Sequence, residues 1–293
     1  MLGAVEGGGT KFICEVGEAQ DRVVASTRIP TTTPEETLDQ VLAFFAPFRL
    51  EALGLALFGP LELRPGPTQG TLLTTPKPGW AGVPVAGRLG SALGVPVAVD
   101  TDVNAAALAE QRWGAARGAD PVLYLTVGTG VGGGLVVHGQ PVHGLLHPEL
   151  GHLLIQTGAA EDSFAGVCLH HGRCLEGLAS GPAVRARTGA TPEELPDEHP
   201  VWELVGRLVG NALAAAVLVC SPQRIVLGGG VGSRRAVLEA ARRSLVATLA
   251  GYVPRPEVSA EGVASWLVAP GLGERSGVAG AFGLAEQARS APG

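Results

Sequence analysis

Aromatic residues, methionine and lysine are scarce in this chain of 293 residues: 4% of the sequence is aromatic, and it has one methionine and two lysines. A core with few large rings is expected to consist of Ala, Val and Leu, and the 44 glycines and 22 prolines indicate that many tight turns join its elements. With 46% hydrophobic and 16% charged residues, the chain can bury a large core, and its length favours two domains or one large one.

From this sequence we also expect no leader, no membrane-spanning run and no basic surface. Its first residues, MLGAVEGGGTKF, have no basic segment before an apolar run, so we expect neither a secretory signal nor a transit peptide, and by default a cytoplasmic protein. No stretch approaches 18 uninterrupted apolar residues, and so no membrane partner is expected. The net charge of -6 argues against nucleic acid, because neutralising phosphates needs clustered Lys and Arg. The expected partners are small molecules.

Cysteine is rare too, yet two of the four cysteines lie with two histidines in one short loop, VCLHHGRCLEG (167–177). A lasting disulfide is unfavourable in a reducing compartment, and close-set Cys and His indicate a metal site. Cys168, His171 and Cys174 recur at intervals of three, a spacing that lets a short loop fold around one ion. A loop with free thiols is the alternative that the spacing leaves open. The cysteines in KFICEVG and AAAVLVCSP are predicted core residues.

A repeated layout of strand, glycine turn and strand divides the chain into two similar halves. Residues 2–6 and 12–16 form a predicted hairpin around EGGGTK, and VLYLTVGTGVGGGLVVHG repeats the layout about 122 residues later. Thr33, followed by Pro and two Glu, predicts a capped helix to about Phe45. Further strands are predicted at 52–58, 95–99 and 224–227, and further helices at about 104–116, 200–220, 233–251 and 276–288. We expect the last helix to pack against the first half.

Three glycine-rich turns follow apolar strands: EGGGTK (6–11), GTGVGGG (128–134) and GGGVG (228–232). Glycines let backbone N–H groups approach an anion closely, and a Thr hydroxyl adds a donor. Neither lysine of the chain lies in a Gly-Lys-Ser/Thr sequence, which excludes a Walker A loop. A dinucleotide fingerprint needs its glycines between a strand and a helix, whereas the first two turns connect strand to strand. The pattern therefore predicts hairpins that bind phosphate groups.

An acidic cluster, Asp100-Thr101-Asp102, lies between the strand VPVAV and an Ala-rich helix. Each of the three residues can cap the helix, so a purely structural role for Asp102 stays open. Two acids at one junction nevertheless leave one carboxylate without a capping role, at a helix end whose positive charge keeps it ionised. A carboxylate in that position can act as a general base, and Asp102 is the candidate.

Characteristic motifs occur in order along nearly the whole chain: VEGGGTKF, FGPLEL, TPKPGW, VDTDVNAAALAE, LTVGTGVGGGLVVHG, HPELGH, CLHHGRCLEGLASGP, IVLGGGV and a C-terminal Gly/Ala helix. With them the chain resembles the ROK family of sugar kinases (repressors, open reading frames and kinases), and most of all its zinc-containing bacterial fructokinases. The resemblance implies an α/β fold with two RNase H-like lobes of the actin-like ATPase superfamily and an interlobe cleft. Residues 1–115 with the C-terminal helix 276–293 would form one lobe, and residues 116–275 the other.

The resemblance implies ATP as a substrate, bound by the glycine turns, with Mg²⁺ bridging its phosphates. The implied ATP-binding residues are Gly8, Gly9, Thr10, Lys11, Thr129, Gly130, Pro182, Gly228, Gly229, Gly230, Val231 and Gly232. Glu6 stands where much of the family has Asp, which leaves its part in Mg²⁺ binding open, although the fructokinase-like branch shares the Glu.

The resemblance also implies that Asp102 is the catalytic base. The implied sugar-binding residues are Gly59, Thr101, Glu149, His152 and Glu176, and Thr101 stands where many members have Asn. His152 of ELGH is implied as the fourth ligand of a structural Zn²⁺, beside the Cys-x-x-His-x-x-Cys loop, and His170 is expected to point away. His147 is interpreted as a loop residue or substrate neighbour, and no pattern singles out His138, His143 or His199.

The implied function is ATP-dependent phosphorylation of a hexose, D-fructose to fructose 6-phosphate, by a homodimer. A mannose or glucose kinase of the same family and a non-catalytic sugar-sensing relative are the alternatives. A sugar-responsive repressor would need an N-terminal helix-turn-helix, for which a hairpin starting at residue 6 leaves no room. A dehydrogenase built on GGGVG would need an acid on a following strand, and none lies at the required distance.

Overall fold

The computed structural model describes residues 1–75, 77–157 and 163–291 of the chain. These residues form two compact units. Unit 1 comprises Met1–Ala109, Gln140–Pro148 and Glu274–Gly293, and unit 2 comprises Glu110–Gly139 and Glu149–Gly273. The sequence predicts two lobes, residues 1–115 with 276–293 and residues 116–275, and this division stays a prediction.

Both units contain strands and helices. The strands are β1 (Leu2–Gly7), β2 (Lys11–Ala19), β3 (Arg22–Pro30), β4 (Ala52–Leu57), β5 (Val97–Thr101), β6 (Val122–Val127), β7 (Val131–Val137), β8 (Gln140–Pro141), β9 (Arg224–Gly228) and β10 (Leu267–Val268). The helices are α1 (Pro34–Phe45), α2 (Val85–Leu93), α3 (Asp102–Trp113), α4 (Leu175–Ala179), α5 (Gly181–Thr188), α6 (Val201–Cys220), α7 (Arg235–Leu249), α8 (Val263–Trp266) and α9 (Ser276–Ser290).

Unit 1 contains a five-stranded sheet with the order β3-β2-β1-β4-β5. β1 is antiparallel to β2 and parallel to β4, which is in turn parallel to β5. Helix α9 packs closely on this sheet, because a Cβ at Gly54 would come within 1.8 Å of Ala281 O. Gly280 likewise lies against Ala105 O of α3, where an added Cβ would come within 2.1 Å. The small residues of α9 therefore allow the last helix to pack within unit 1.

Unit 2 contains a second sheet, in which neighbouring strands follow the order β10-β9-β6-β7. β6 is antiparallel to β7 and parallel to β9, which repeats the relation of β1 to β2 and β4. The predicted duplication is therefore confirmed as a shared strand arrangement.

Helix α6 of unit 2 is the longest apolar helix of the described ranges, and its length and composition would suffice to cross a membrane. It packs against α7 through glycines: a Cβ at Gly206 would come within 2.5 Å of Val237 O, and one at Gly210 within 2.6 Å of Ala241 O. Over half of its most apolar window is buried inside the unit. Such burial is typical of a core helix.

Candidate active site

The junction between β5 and α3 holds the acidic cluster. Thr101 caps the helix, because its Oγ1 accepts a hydrogen bond of 3.1 Å from Asn104 N. The buried Asp100 accepts bonds at Oδ1 from Thr101 N at 2.7 Å and from Asn104 Nδ2 at 2.8 Å. The half-buried Asp102 accepts a bond of 2.9 Å from Val103 N. Since Thr101 supplies the cap, the Asp102 carboxylate is available for chemistry.

Asp102 and Glu6 are two acids of unit 1 that titrate near neutral pH. Burial raises the pKa of Asp102 to about 6. Burial and, second, the Asp102 charge raise the pKa of Glu6 to about 7, although Lys11 and the backbone of Val278 oppose the rise. Within the described residues, one buried oxygen of Glu6 has no hydrogen-bond partner. A carboxylate with a pKa near 6 is well matched to accepting a proton at neutral pH.

The first glycine turn connects β1 to β2 and is held from two sides. Gly8 N donates to Lys11 O at 2.8 Å, and Thr31 Oγ1 donates to Gly8 O at 2.7 Å. The lysine of the TPKPGW motif supports this arrangement, because Lys77 Nζ donates to Thr31 O at 2.9 Å. A Cβ added at Gly9 would meet no described atom within 4 Å, so the tip of the turn is open to a ligand.

The second glycine turn connects β6 to β7 and is held by its neighbours in unit 2. Gly181 N, at the start of α5, donates to Gly128 O at 2.7 Å. Val231 N and Gly232 N of the third turn donate to Val127 O at 2.9 and 3.0 Å. The turns predicted to bind phosphate and adenosine therefore lie side by side in this unit.

Glu176, predicted as a sugar contact, touches the second turn. Its Oε2 accepts a hydrogen bond of 3.0 Å from Val131 N, and a Cβ added at Gly130 would come within 2.9 Å of the same oxygen. Glu176 lies in the first turn of α4, directly after the loop that carries Cys174. This bond links the Cys/His loop to a predicted phosphate turn, and no local sequence pattern indicates it.

The other predicted nucleotide residues of unit 2 lie at a helix start and in a tight turn. Pro182 is in the first turn of α5, where Ser180 Oγ accepts a bond of 3.4 Å from Ala183 N. Gly229 has φ of 84°, a conformation that favours glycine. A Cβ added at Gly230 would also have no described atom within 4 Å. Open space beside backbone glycines suits the close approach of a nucleotide.

Four side chains of unit 2 form a candidate metal centre, and their ligand atoms all lie within 4.8 Å of one another: His152, Cys168, His171 and Cys174. Cys168 Sγ is 3.8 Å from the Nδ1 atoms of both His152 and His171. Cys174 Sγ is 3.5 Å from His152 Nδ1. Tetrahedral bonds of about 2.0–2.3 Å separate ligand atoms by roughly 3.3–3.8 Å, which matches these three separations, so the cluster is compatible with one tetrahedral ion. His170 is exposed and lies outside the cluster.

Gly59 and Glu149, two further predicted sugar contacts, belong to different units. Gly59 lies beside the buried His147, whose Cε1 would be 3.1 Å from an added Cβ. His147 Nε2 accepts a hydrogen bond of 3.1 Å from Leu61 N. His147 is therefore a loop residue anchored beside a predicted sugar contact. The half-buried Glu149 precedes the short 3₁₀ helix Leu150–His152 of unit 2.

His143, which no sequence pattern singles out, is bonded to the acidic cluster. Its Nε2 lies 3.0 Å from Asp100 Oδ2 and 3.5 Å from Asn104 Nδ2. His143 and Asp100 are 43 residues apart in the chain, so their pairing leaves no local signal. Within unit 1, this contact is a feature of the site that sequence reasoning missed.

Comparison with known proteins gives a consistent result over the whole length. A model of the ROK family matches residues 2–288. A fructokinase from Zymomonas mobilis is 40% identical over 294 residues, covering 97% of this chain and 96% of its own. A fructokinase from Pediococcus pentosaceus is 38% identical over 289 residues, 98% of each chain.

Two solved structures are similar to this chain from end to end. A ROK family glucokinase from Streptomyces griseus in complex with glucose and AMPPNP has a TM-score of 0.77 and 28% identity, covering 98% of this chain and 99% of that one. A ROK hexokinase from Thermus thermophilus has a TM-score of 0.74 and 30% identity, covering 98% of each chain. These structures confirm the predicted α/β fold of the actin-like ATPase superfamily. Because the family model, the relatives and the solved structures all match nearly the entire sequence, this chain belongs to the ROK family.

Proposed function

We propose that this chain phosphorylates a hexose with ATP and that D-fructose is its preferred substrate. The observation that carries the proposal is the Asp102 carboxylate, which lies at the start of a helix that Thr101 caps. The similarity to fructokinases over nearly their whole length supports the choice of sugar. The structure with glucose and AMPPNP, a similar ROK glucokinase, supports a sugar and a nucleotide as the two ligands.

Asp102 would act as the general base of the reaction. The primary hydroxyl of the sugar gives its proton to the Asp102 carboxylate while its oxygen attacks the γ-phosphorus of ATP. ADP leaves with the electron pair of the broken P–O bond. A pKa of about 6 leaves the carboxylate ionised at neutral pH and still basic enough to accept the proton.

The backbone of the glycine turns would bind the nucleotide, since phosphoryl transfer depends on positioning and charge stabilisation more than on covalent catalysis by the protein. Open space at Gly9 and Gly230 supports this assignment. The phosphate contacts are assigned to Gly8, Gly9, Thr10, Lys11, Thr129 and Gly130, and the adenosine contacts to Pro182, Gly228, Gly229, Gly230, Val231 and Gly232.

The sugar contacts are assigned to Gly59, Thr101, Glu149, His152 and Glu176. Acids and amide or hydroxyl groups suit this task, because a hexose presents several hydroxyls that need partners once they leave water. The buried Thr101 hydroxyl accepts from Asn104 N and can still donate its hydrogen.

Zn²⁺ would occupy the Cys₂His₂ centre, held by His152, Cys168, His171 and Cys174. Four protein ligands close the coordination shell, so the ion would be structural and not hydrolytic. The centre supports two predicted sugar contacts at once, because His152 is a ligand and Glu176 follows the last ligand by two residues. Mg²⁺ would accompany ATP and supply neutralisation of the phosphate charge.

An ADP-release assay with a panel of hexoses tests the proposed function. We expect kcat/KM for D-fructose to exceed that for D-mannose and D-glucose by about tenfold or more, because one hydroxyl contact in a matched site discriminates by at least this much. A preference for glucose or mannose would contradict the assigned sugar. Absence of ADP release with every hexose would contradict the kinase and favour a sugar-sensing relative.

The pH profile of the same reaction should show the ionisation of Asp102. Because only the ionised carboxylate accepts the proton, kcat/KM is expected to fall as the pH drops below about 6, by about tenfold per pH unit, and to level off above it. Circular dichroism at each pH controls for unfolding. A flat profile between pH 5 and 8 with intact structure would contradict a base with this pKa.

A further inference from the structure

The segment Gln140–Pro148 belongs to unit 1, although the residues on either side of it belong to unit 2. Two histidines attach this segment to unit 1. His143 Nε2 bonds to Asp100 Oδ2 at 3.0 Å, and His147 Nε2 accepts from Leu61 N at 3.1 Å. One segment is thus anchored at two points of unit 1.

Both anchoring points adjoin residues assigned to the sugar. The first lies at Asp100, directly before Thr101 and two residues before the proposed base Asp102. The second lies at Leu61, two residues after Gly59, and a Cβ added at Gly59 would come within 3.1 Å of the His147 ring. The segment therefore lines the sugar-binding residues of unit 1.

The Asp100 carboxylate fixes the orientation of the His143 ring. The side chain of Asp100 is 3% exposed, and its Oδ1 already accepts from Thr101 N and from Asn104 Nδ2. Its Oδ2 is an acceptor, which places the hydrogen of the His143 ring on Nε2. Nδ1 is then the ring nitrogen that can bond a ligand, and 40% of the His143 side chain is exposed. A buried acid thus holds an accessible imidazole with its Nε2–H toward Asp100. The same bond raises the pKa of His143, and Nδ1 is an acceptor in the neutral form of the ring.

A second histidine–aspartate pair, His138 and Asp120, lies outside the residues assigned to the sugar. His138 Nδ1 lies 3.2 Å from Asp120 Oδ2 in unit 2, with 91% of the His138 side chain and 38% of the Asp120 side chain exposed. This pair is a matched control for His143, whose partner is buried.

We propose that His143 is a sugar-specificity residue whose Nδ1 accepts a hydrogen bond from a hydroxyl of the hexose, with Asp100 as its positioning residue. This inference rests on the proposed function and adds one sugar contact to it. A ring held in one tautomer offers an acceptor at a single place, so a hexose gains this bond only if it presents a hydroxyl there. A site built to bond a hydroxyl rejects sugars that lack it.

His143→Gln tests the contact. The glutamine amide can still donate to Asp100, but its acceptor Oε1 is displaced from the position of Nδ1. We expect the fructose Kd, measured by calorimetry without nucleotide, and the fructose KM to rise about tenfold, the effect of losing one hydrogen bond. The KM for ATP should stay within about twofold and the Tm within about 2 °C, because the bond to Asp100 persists. The fructose-to-mannose ratio of kcat/KM should change as well.

Asp100→Asn tests the positioning. An asparagine NH₂ facing Nε2 would shift the ring hydrogen to Nδ1 and turn the acceptor into a donor. We expect this variant to raise the fructose Kd in parallel with His143→Gln, and His138→Gln to leave Kd, KM and Tm unchanged. A wild-type fructose Kd in folded His143→Gln would overturn the inference.

Protection of His143 by fructose against chemical modification can be measured in the wild-type protein, so this test does not depend on how the variants fold. Diethyl pyrocarbonate modifies accessible neutral imidazoles, and mass spectrometry can follow each histidine. Saturating fructose is expected to slow modification of His143 and to leave that of His138 unchanged. If fructose leaves the modification rate of His143 unchanged and the wild-type protein releases ADP, this inference is overturned and the proposed kinase function stands. If the wild-type protein neither binds nor phosphorylates any hexose, the proposed function fails, and this inference fails with it.

Discussion

Replacing Asp102 by Asn is expected to lower kcat for hexose phosphorylation by about 10²–10⁴-fold, the usual contribution of a general base. Asparagine can accept the hydrogen bond from Val103 N that the carboxylate now accepts, but it cannot take a proton from the sugar hydroxyl. Thr101 continues to cap α3 in the variant. The loss should therefore appear in kcat, with the calorimetric Kd for fructose within a few-fold of the wild-type value.

The stability of Asp102→Asn separates a lost base from a damaged fold. Burial raises the pKa of Asp102 to about 6, above its value in the unfolded chain. The contribution of the protonated Asp102 to the free energy of unfolding is therefore complete below the unfolded pKa and is lost as the pH rises through 6. At pH 8 the variant lacks a costly buried charge, and its Tm is expected to equal or exceed that of the wild type. Asp39→Asn, at an exposed acid paired with Arg88, is the control and should retain full activity. Wild-type kcat in Asp102→Asn would contradict the assigned base.

Loss of the metal centre should have the largest effect on stability. Cys174 is the buried candidate ligand of the cluster. Cys174→Ser is expected to lower the Tm by about 10 °C, because the free energy of unfolding would fall by roughly 3–5 kcal/mol out of the ~10 kcal/mol that such an ion contributes. Without the ion, the loop that precedes Glu176 has no anchor, and Glu176 Oε2 bonds Val131 N in the second glycine turn. The KM values for sugar and for ATP should therefore both rise.

Metal content and a second cysteine variant control this experiment. Mass spectrometry of the purified wild-type protein should find about one zinc ion per chain, and neither Cys174→Ser nor Cys168→Ser should retain it. Cys220→Ser, at a cysteine outside the cluster, should retain the ion and keep the Tm within about 2 °C. Unchanged Tm and kinetics in fully zinc-free protein would refute a structural role for the ion.

Much of the fold could be predicted from local patterns. The cap at Thr33 and the hairpin glycines act within one turn of the chain, and the structure has a helix and a hairpin where they predict them. Strand β3 was missed because it lies at the edge of the sheet, where its inner face of Val23, Ala25, Thr27 and Ile29 is buried at Ile29 alone and half-buried elsewhere. Its stability comes from pairing with β2, which a local pattern does not report.

The sequence by itself determined the elements whose cause is local: the glycine turns after apolar strands, the helix N-caps and the three candidate metal ligands spaced by three in one loop. The tertiary structure decided which distant groups meet. It joined His143 to Asp100 and Glu176 to Val131 N, pairs separated by 43 and 45 residues. Backbone propensity and turn chemistry depend on neighbouring residues alone, whereas these contacts depend on how whole strands and helices pack.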